Sequence, residues 1–457
     1  MAGPTVEQLS FLEKNLEPAL KHLQWSHTWQ HSYPPVKYLD APWRPVPPEL
    51  RARAEKLSDI VLYVHVPFCT QKCDFCHFYR PGDMETFDSA SYAACMKAEL
   101  DSLHALNPKR RILSLYVGGG TPTMLAPRDL GGVLAHARSL FAFAPDADVV
   151  VESEPMYLSQ EMVDALRAAG VNECVIGVQS FDESVARSIN RKRQTNSQIR
   201  EGVARLRAAG IRVAFDLIFG LRPGESGEDF LRANAAPLRE LKPDVVAIHP
   251  LENFRKHPDH LKEFPLDELD ALTRRMDEEL GLTARRPVPC QYTYYNWGLC
   301  KNVMSIGLGG RGYLWLDGAL IRRDPVQNKD NDFESYRRQA LAGRLEHAWS
   351  LQEPRDALRY YVIWNLFRSC GVLDSVIAET FPGLKAEFAS LMASVAPDVS
   401  HRDGVWRLKP EFSRTLPVRT GTDLANYFLF AFCSLYTDEV REAVVSHLRS
   451  TLSARKG

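Results

Sequence analysis

Residues Val61 to Cys76 read VLYVHVPFCTQKCDFC, and the rest of the chain is organised around them. The first half, Val61–Phe68, is a short apolar run rich in valine, as expected of a buried strand. The second half places Cys69, Cys73 and Cys76 in a C-x3-C-x2-C spacing. Thiolates are soft ligands that select iron–sulfur clusters, zinc or Cu(I). A four-iron cluster normally takes four cysteines. The local motif offers three, so one iron would keep an open position where a small molecule can bind and receive an electron. A loop just after the first strand lets the three side chains converge. Zinc, with His77 as fourth ligand, is the alternative. Its structural sites usually draw on two spaced pairs of ligands, and no second pair lies downstream.

From Val61 onward short β-branched runs alternate with longer amphipathic segments. Candidate strands are Val61–Val66, Ile112–Val117, Val149–Glu152, Val175–Gln179, Val213–Phe219 and Val245–His249. Helical segments fall near 88–105, 128–141, 159–169, 197–209 and 227–240. This pattern predicts an α/β fold of parallel βαβ units. Right-handed crossovers close such units into a partial (β/α)6 barrel of the TIM type, with the site at the C-terminal ends of the strands.

The context YVHVPFCTQKCDFC resembles the radical S-adenosylmethionine (SAM) superfamily, and within it the HemN-like branch. That branch holds oxygen-independent coproporphyrinogen III oxidases, haem chaperones, anaerobic haem-degrading methyltransferases, and class C methyltransferases and cyclopropanases. The resemblance runs from about Leu62 to Pro250 and returns more weakly to the C-terminus. It implies a [4Fe–4S] cluster on Cys69, Cys73 and Cys76. It also implies that Gly118-Gly119-Gly120-Thr121-Pro122-Thr123, after the second strand, holds the amino and carboxylate ends of SAM. Three glycines there suit a close approach of backbone to a ligand. Tyr63, Gly119 and Glu152 match the first-SAM positions of the family. Phe75, Gly120, Thr121, Gln179, Arg191 and Asp216 match the positions of a second SAM in the oxidases, so two SAM molecules are expected. A plain Arg191–Asp216 ion pair is the structural alternative. Glu154 shares a face with Glu152 if the third strand runs that far. His65 reads as a satisfied core group. Where the oxidase pattern tends to carry another cysteine, this chain has Phe78.

Lysine plus arginine number 56 and aspartate plus glutamate 57 in 457 residues, so no global field points to nucleic acid or to a strongly charged partner. No long apolar run suggests a membrane span, and the acidic N-terminal stretch is unlike a signal peptide. Cys95, Cys174, Cys290, Cys300, Cys370 and Cys433 read as buried free thiols. Nine cysteines and no signal fit a reducing cytoplasm. A monomer is expected.

Residues 1–58 are expected to form an N-terminal arm, helical over Glu7–Trp25 and then rich in proline and aromatics. The barrel domain is assigned to 59–285, a barrel-closing segment to 286–345, and a small, mostly helical, winged-helix-like domain to 346–457. Leu266–Leu282 reads as a helix, VMSIGLGGRGYLWL as a glycine-rich closing turn, and Tyr292, Tyr294, Tyr295 and Trp297 as core or as a flat pocket. In the C-terminal part Asp356–Ser369 and Leu424–Tyr436 read as helices, with a short hairpin in PDVSHRDGVWRLKPEFSRTLP.

The resemblance implies reductive cleavage of SAM to methionine and a 5′-deoxyadenosyl radical, with an electron from a flavodoxin- or ferredoxin-type reductant. Because HSYPPVKYLDAP is a poor match to the oxidases' N-terminal segment, the sequence favours methyl or methylene transfer. The acceptor is an sp2 carbon of an unsaturated or aromatic small molecule, giving methylation or cyclopropanation. Oxidative decarboxylation of the coproporphyrinogen type, haem-degrading methyl transfer and haem chaperoning without catalysis are the alternatives.

Overall fold

A computed structural model describes residues 4–22, 58–76, 88–191, 193–251, 304–308, 312–316, 319–323, 333–342, 354–366, 371–409 and 423–453, with a few isolated positions between. Six parallel strands form the frame: β1 Asp59–Val66, β2 Arg111–Gly119, β3 Ala142–Ser153, β4 Glu173–Gln179, β5 Arg212–Phe219 and β6 Val245–Pro250. They pair in sequence order in one nine-stranded sheet. On its other side β1 pairs in parallel with β7 Met304–Leu308, which leads into antiparallel β8 Gly312–Leu316 and β9 Ala319–Arg323. The sheet is thus a partial barrel, as the alternation predicts.

After α1 (Val6–His22), the crossovers are α2 Ser89–Leu106, α3 Pro127–Leu140, α4 Gln160–Ala168, α5 Glu183–Ser188, α6 Asn196–Ala208 and α7 Gly227–Leu241. Their starts follow local chemistry. Asp88, Ser159 and Asp182 accept amide hydrogen bonds at the N-termini of α2, α4 and α5. Thr195 and Ser226 form reciprocal capping boxes with Gln198 and Asp229. Such caps satisfy amides that the helix itself cannot.

The period-two rule sorts the strand side chains. On β1, Ile60, Leu62, Val64 and Val66 belong to the large core shared with the helices. Tyr63 points the other way and meets Tyr116, Val150, Val175 and Ala214 in a second, smaller cluster. That inner layer floors the barrel, and the next inward residues of β1, β2, β3 and β5 stand above it at the strand ends.

The C-terminal part contains α9 Pro354–Leu366, α10 Asp374–Thr380 and α11 Lys385–Ser394, preceded by α8 Phe333–Leu341. A small sheet of β10 Val372–Leu373, β11 Val399–Arg402 and β12 Val405–Leu408 follows the order β10-β12-β11. The expected hairpin is β11–β12. Its two-residue Asp403-Gly404 turn has φ of 52° and 71°, the left-handed pair that Asp-Gly hairpins favour. Helices α12 Asp423–Ser434 and α13 Asp438–Ser453 end the described chain. Helix α1 packs on these two: Arg449 Nη2 meets Glu7 Oε1 at 2.8 Å and lies over the Phe11 ring.

Two features differ from the sequence reading. Strand β3 begins at Ala142, before the expected Val149, because Pro145, Asp146 and Asp148 mask its strand character. The glycine-rich VMSIGLGGRGYLWL contributes β7 and β8. His77, Phe78, most of Leu266–Leu282, and the run with Tyr292, Tyr294, Tyr295 and Trp297 lie outside the described residues. Among the described residues no helix is long and apolar enough to cross a membrane.

Candidate active site at the strand ends

The cysteine loop leaves β1 and is clasped by the turn after β2. Gly120 N–H donates to Val66 O at 2.7 Å, and Thr121 N–H donates to Phe68 O at 2.8 Å. A Cβ on Gly120 would lie 2.5 Å from Phe68 O, so only glycine permits this approach. Gly119 has φ +116°, outside the range of ordinary side-chain-bearing residues, and a Cβ there would strike the His65 ring. Gly118 lies on β2 opposite His65.

The loop is fixed from the far side of the barrel as well. Asp74 N–H donates to Ile189 O at 3.1 Å, and Asn190 Nδ2 donates to Lys72 O at 2.9 Å. Asn190 has φ 65°, a left-handed conformation that asparagine tolerates. The Tyr157 hydroxyl donates to Thr70 Oγ1 at 2.8 Å. Phe75 is half-buried against the core.

Burial pushes the Cys69 and Cys73 thiols up to about 12; a contact with Thr121 opposes this at Cys69 and the Arg191 charge opposes it at Cys73. Such thiols ionise when a bound cation compensates for the lost water. Among the described residues no three His, Cys, Asp or Glu side chains are gathered tightly enough for a single metal ion. Cys69, Cys73 and Cys76 would instead suit a multinuclear iron–sulfur cluster, which they would hold as thiolates. Three cysteines of one loop, Cys73 buried and Cys69 and Cys76 half-buried, beside a turn that admits no side chain fit a cluster with a ligand against it.

Glu152 closes the floor of this turn. The Tyr116 hydroxyl donates to Glu152 Oε1 at 2.5 Å and Gly119 N–H donates to Oε2 at 3.1 Å. Even so its carboxyl is pushed up to about 7, chiefly by burial, with the Asp216 charge adding to it. Tyr63 stacks on Tyr116 and its hydroxyl lies 3.0 Å from His65 Nδ1. His65 is therefore a hydrogen-bonded core group, as its position on β1 suggested.

Gln179, Arg191 and Asp216 come to the same end of the barrel by different routes. Gln179 ends β4 with φ 65°, an uncommon conformation for glutamine. Arg191 follows α5 and is buried. Its Nη2 donates to Gly177 O at 2.7 Å and its Nε to Gln194 Oε1 at 3.1 Å. Its ion-pair partner is Glu154, Nη2 to Oε2 3.6 Å. Asp216, on β5, lies instead 3.5 Å from His249 Nε2 on β6. The simple Arg191–Asp216 pair is not formed. Gln194, Asn190, Tyr157 and His249 were not singled out from the sequence. The left-handed Asn190 had a signal in its residue type, while the others depend on tertiary placement.

Comparison with known proteins follows the same lines. Residues 63–233 match the model of the radical SAM superfamily. An oxygen-independent coproporphyrinogen III oxidase of Bradyrhizobium diazoefficiens is 38% identical over 162 residues, 35% of this chain and 36% of the relative. Heme chaperone HemW of Mycobacterium tuberculosis is 32% identical over 174 residues, 38% of this chain and 44% of the relative. The aligned part thus spans less than half of each relative. The solved structure of coproporphyrinogen III oxidase (HemN) from Escherichia coli superposes with a TM-score of 0.66 at 20% identity, over 91% of this chain and 98% of that one. With its cysteine loop, glycine turn and partial barrel, the chain carries a radical SAM domain over residues 63–233, and in that part it is similar to the coproporphyrinogen oxidases and HemW.

Proposed function

We propose that the chain is a radical SAM enzyme that holds a [4Fe–4S] cluster on Cys69, Cys73 and Cys76 and one SAM against it. The observation that carries this is the clasp between loop and turn, where Gly120 and Thr121 donate to Val66 and Phe68 and Gly119 donates to Glu152. When bound, cluster and SAM supply a 5′-deoxyadenosyl radical by one-electron cleavage of a carbon–sulfur bond, and the protein's part is to bind, orient and shield. The glycine turn offers backbone polar groups to the amino-acid end of SAM. Glu152 offers a carboxylate to its ammonium, and Tyr63 packs near the same floor. The apolar layer of Val150, Val175 and Ala214 beneath keeps water out of the barrel centre.

Gln179, Arg191 and Asp216, with Phe75, Gly120 and Thr121, are proposed to receive a second SAM or the substrate's polar groups. The buried guanidinium of Arg191 suits a carboxylate. Asp216 suits an ammonium or ribose hydroxyls. For the outcome of the radical step, the coproporphyrinogen oxidase relatives support hydrogen abstraction and oxidative decarboxylation better than the methyl or methylene transfer favoured by the N-terminal text. The HemW match supports a second reading, a haem-binding chaperone. A flavodoxin- or ferredoxin-type donor in a reducing cytoplasm and a small unsaturated or aromatic substrate complete the proposal.

The test is anaerobic reconstitution followed by reduction with SAM present. About four irons, a broad visible absorbance that bleaches on reduction, and 5′-deoxyadenosine are expected. Stoichiometric zinc without iron uptake would overturn the cluster. Tight haem binding with no SAM cleavage would favour the chaperone. Carbon dioxide release without carbon from methyl-labelled SAM marks decarboxylation, and labelled carbon in the product marks transfer.

A further inference from the structure

Thr121 stands between two acceptors. Its Oγ1 lies 3.3 Å from Cys69 Sγ and 3.1 Å from Glu154 Oε1. The hydroxyl is buried and carries one proton. A cysteine bound to iron has no proton of its own, so Thr121 is then the sole donor in its contact with Cys69. The carboxylate, as a charged oxygen acceptor, outcompetes the sulfur for that proton.

The other oxygen of Glu154 faces Arg191, but the ion pair is long, 3.6 Å, while Arg191 spends its shorter bonds on Gly177 O and Gln194 Oε1. The Glu154 charge is therefore directed as much toward the cysteine loop as toward the arginine. The carboxylate reaches Thr121 across β2 and β3, from just beyond Ser153, where β3 ends. It sits two hydrogen bonds from a cluster ligand without being one.

We propose that Glu154 is a positioning residue that lowers the reduction potential of the cluster, by keeping a negative charge beside it and by drawing the Thr121 proton away from Cys69. The inference rests on the cluster reading given above. Hydrogen bonds to the sulfurs and the net charge nearby are the protein's levers on such a potential. Donation to a sulfur and loss of a neighbouring anion both favour the more negative, reduced cluster. Glu154 withholds the first and supplies the anion, so its two effects act in the same direction. A strongly reducing cluster is what one-electron cleavage of a sulfonium requires.

The experiment is a redox titration of the reconstituted full chain, followed by electron paramagnetic resonance, with iron counted in every sample. In Glu154→Gln the charge is gone and the side-chain amide can donate to Thr121, which frees the hydroxyl proton for Cys69. Iron content should match wild type and the midpoint should move to a higher potential. At a poise where the wild type is about one-tenth reduced, the variant should be several-fold more reduced. An unchanged or lower midpoint with full iron would overturn the proposal. Thr121→Val gives an independent measure. With the Thr121 hydroxyl already donating to Glu154 rather than to Cys69, its midpoint should stay near wild type, whereas a clear fall would show that the hydroxyl donates to sulfur and overturn the proposal. If Glu154→Gln takes up no iron, Glu154→Asp, which keeps the charge, must titrate near wild type; a rise there refutes the charge effect. A wild-type chain that holds no iron would instead refute the cluster reading itself.

Discussion

Tyr116 and Glu152 face each other across β2 and β3, with the donating phenol oxygen 2.5 Å from a carboxylate oxygen and the carboxyl nevertheless poised near 7. Burial outweighs two donors here. The site therefore holds a carboxyl group that binds a proton readily and releases it when a cation arrives.

That poise sets a pH dependence. Folded Glu152 binds its proton more tightly than the unfolded chain, whose glutamates titrate near 4.3. Its contribution to stability is full below that value and is lost as pH rises through about 7. The ceiling is about 4 kcal/mol, from about 1.4 kcal/mol for each pH unit between the two values. Urea midpoints at pH 5 and pH 8 should differ less in Glu152→Gln than in wild type. Equal differences in the two proteins would count against the assignment.

Glu152 is also the proposed partner of the SAM ammonium. Glu152→Ala should weaken SAM binding about ten- to a hundredfold, the effect of losing one charge-assisted hydrogen bond. Iron content should not change. In wild type, SAM affinity should fall as pH drops below about 7, because the ammonium must then displace a proton. Calorimetry across pH would show a flat profile if Glu152 has no such part.

Two glycine substitutions should separate a site position from a scaffold position. Gly120→Ala brings a Cβ within 2.5 Å of Phe68 O, a backbone atom with nowhere to retreat. It should cost roughly 1–3 kcal/mol, as overpacking typically does, and loosen the cysteine loop. Gly131→Ala, inside α3, meets Ala165 Cβ at 3.4 Å, an ordinary contact. It should be neutral or stabilising by up to about 1 kcal/mol through helix propensity. Equal melting temperatures for the two would contradict the clasp.

Arg191 and Asp216 should behave differently although both were read as binding residues. Arg191→Ala removes a buried cation from Gly177, Gln194 and Glu154, so a loss of about 3–5 kcal/mol is expected, as for a broken buried pair. Asp216 is about 29% exposed and meets His249 at 3.5 Å, so Asp216→Asn should cost under about 1 kcal/mol. Asp216→Asn is thus the cleaner probe of the second SAM. It should impair substrate turnover while abortive 5′-deoxyadenosine formation persists. Unaltered turnover would remove Asp216 from the site.

The parallel strands and their five long crossovers were legible because period-two and helical patterns change abruptly between them. The short α5 was not, since six residues carry too little periodicity. The upstream half of β3 was hidden by Pro145 and the aspartates, which the ladder accommodates through a register irregularity against β2. At the site, Cys69, Cys73, Cys76 and the Gly118–Thr121 turn announce themselves locally. The pairing of Arg191 with Glu154 rather than Asp216 does not, because it depends on how the segment after α5 folds back beneath the cysteines. His249 reaches the site only through the pairing of β5 with β6.

The attachment of Lys72 and Asp74 to Asn190 and Ile189 bears on how the protein matures. In small metal domains, ligand binding and folding are a single event, and the chain without metal is unfolded. Here the acceptor loop is already tied to two distant parts of a large barrel, the Ile189–Asn190 segment and the Gly120–Thr121 turn, by bonds that involve no cysteine sulfur. If the chain holds the proposed cluster, iron and sulfide would meet a finished receptacle, and assembly could follow synthesis at leisure. Loss of that proposed cluster would likewise leave a folded protein able to be recharged.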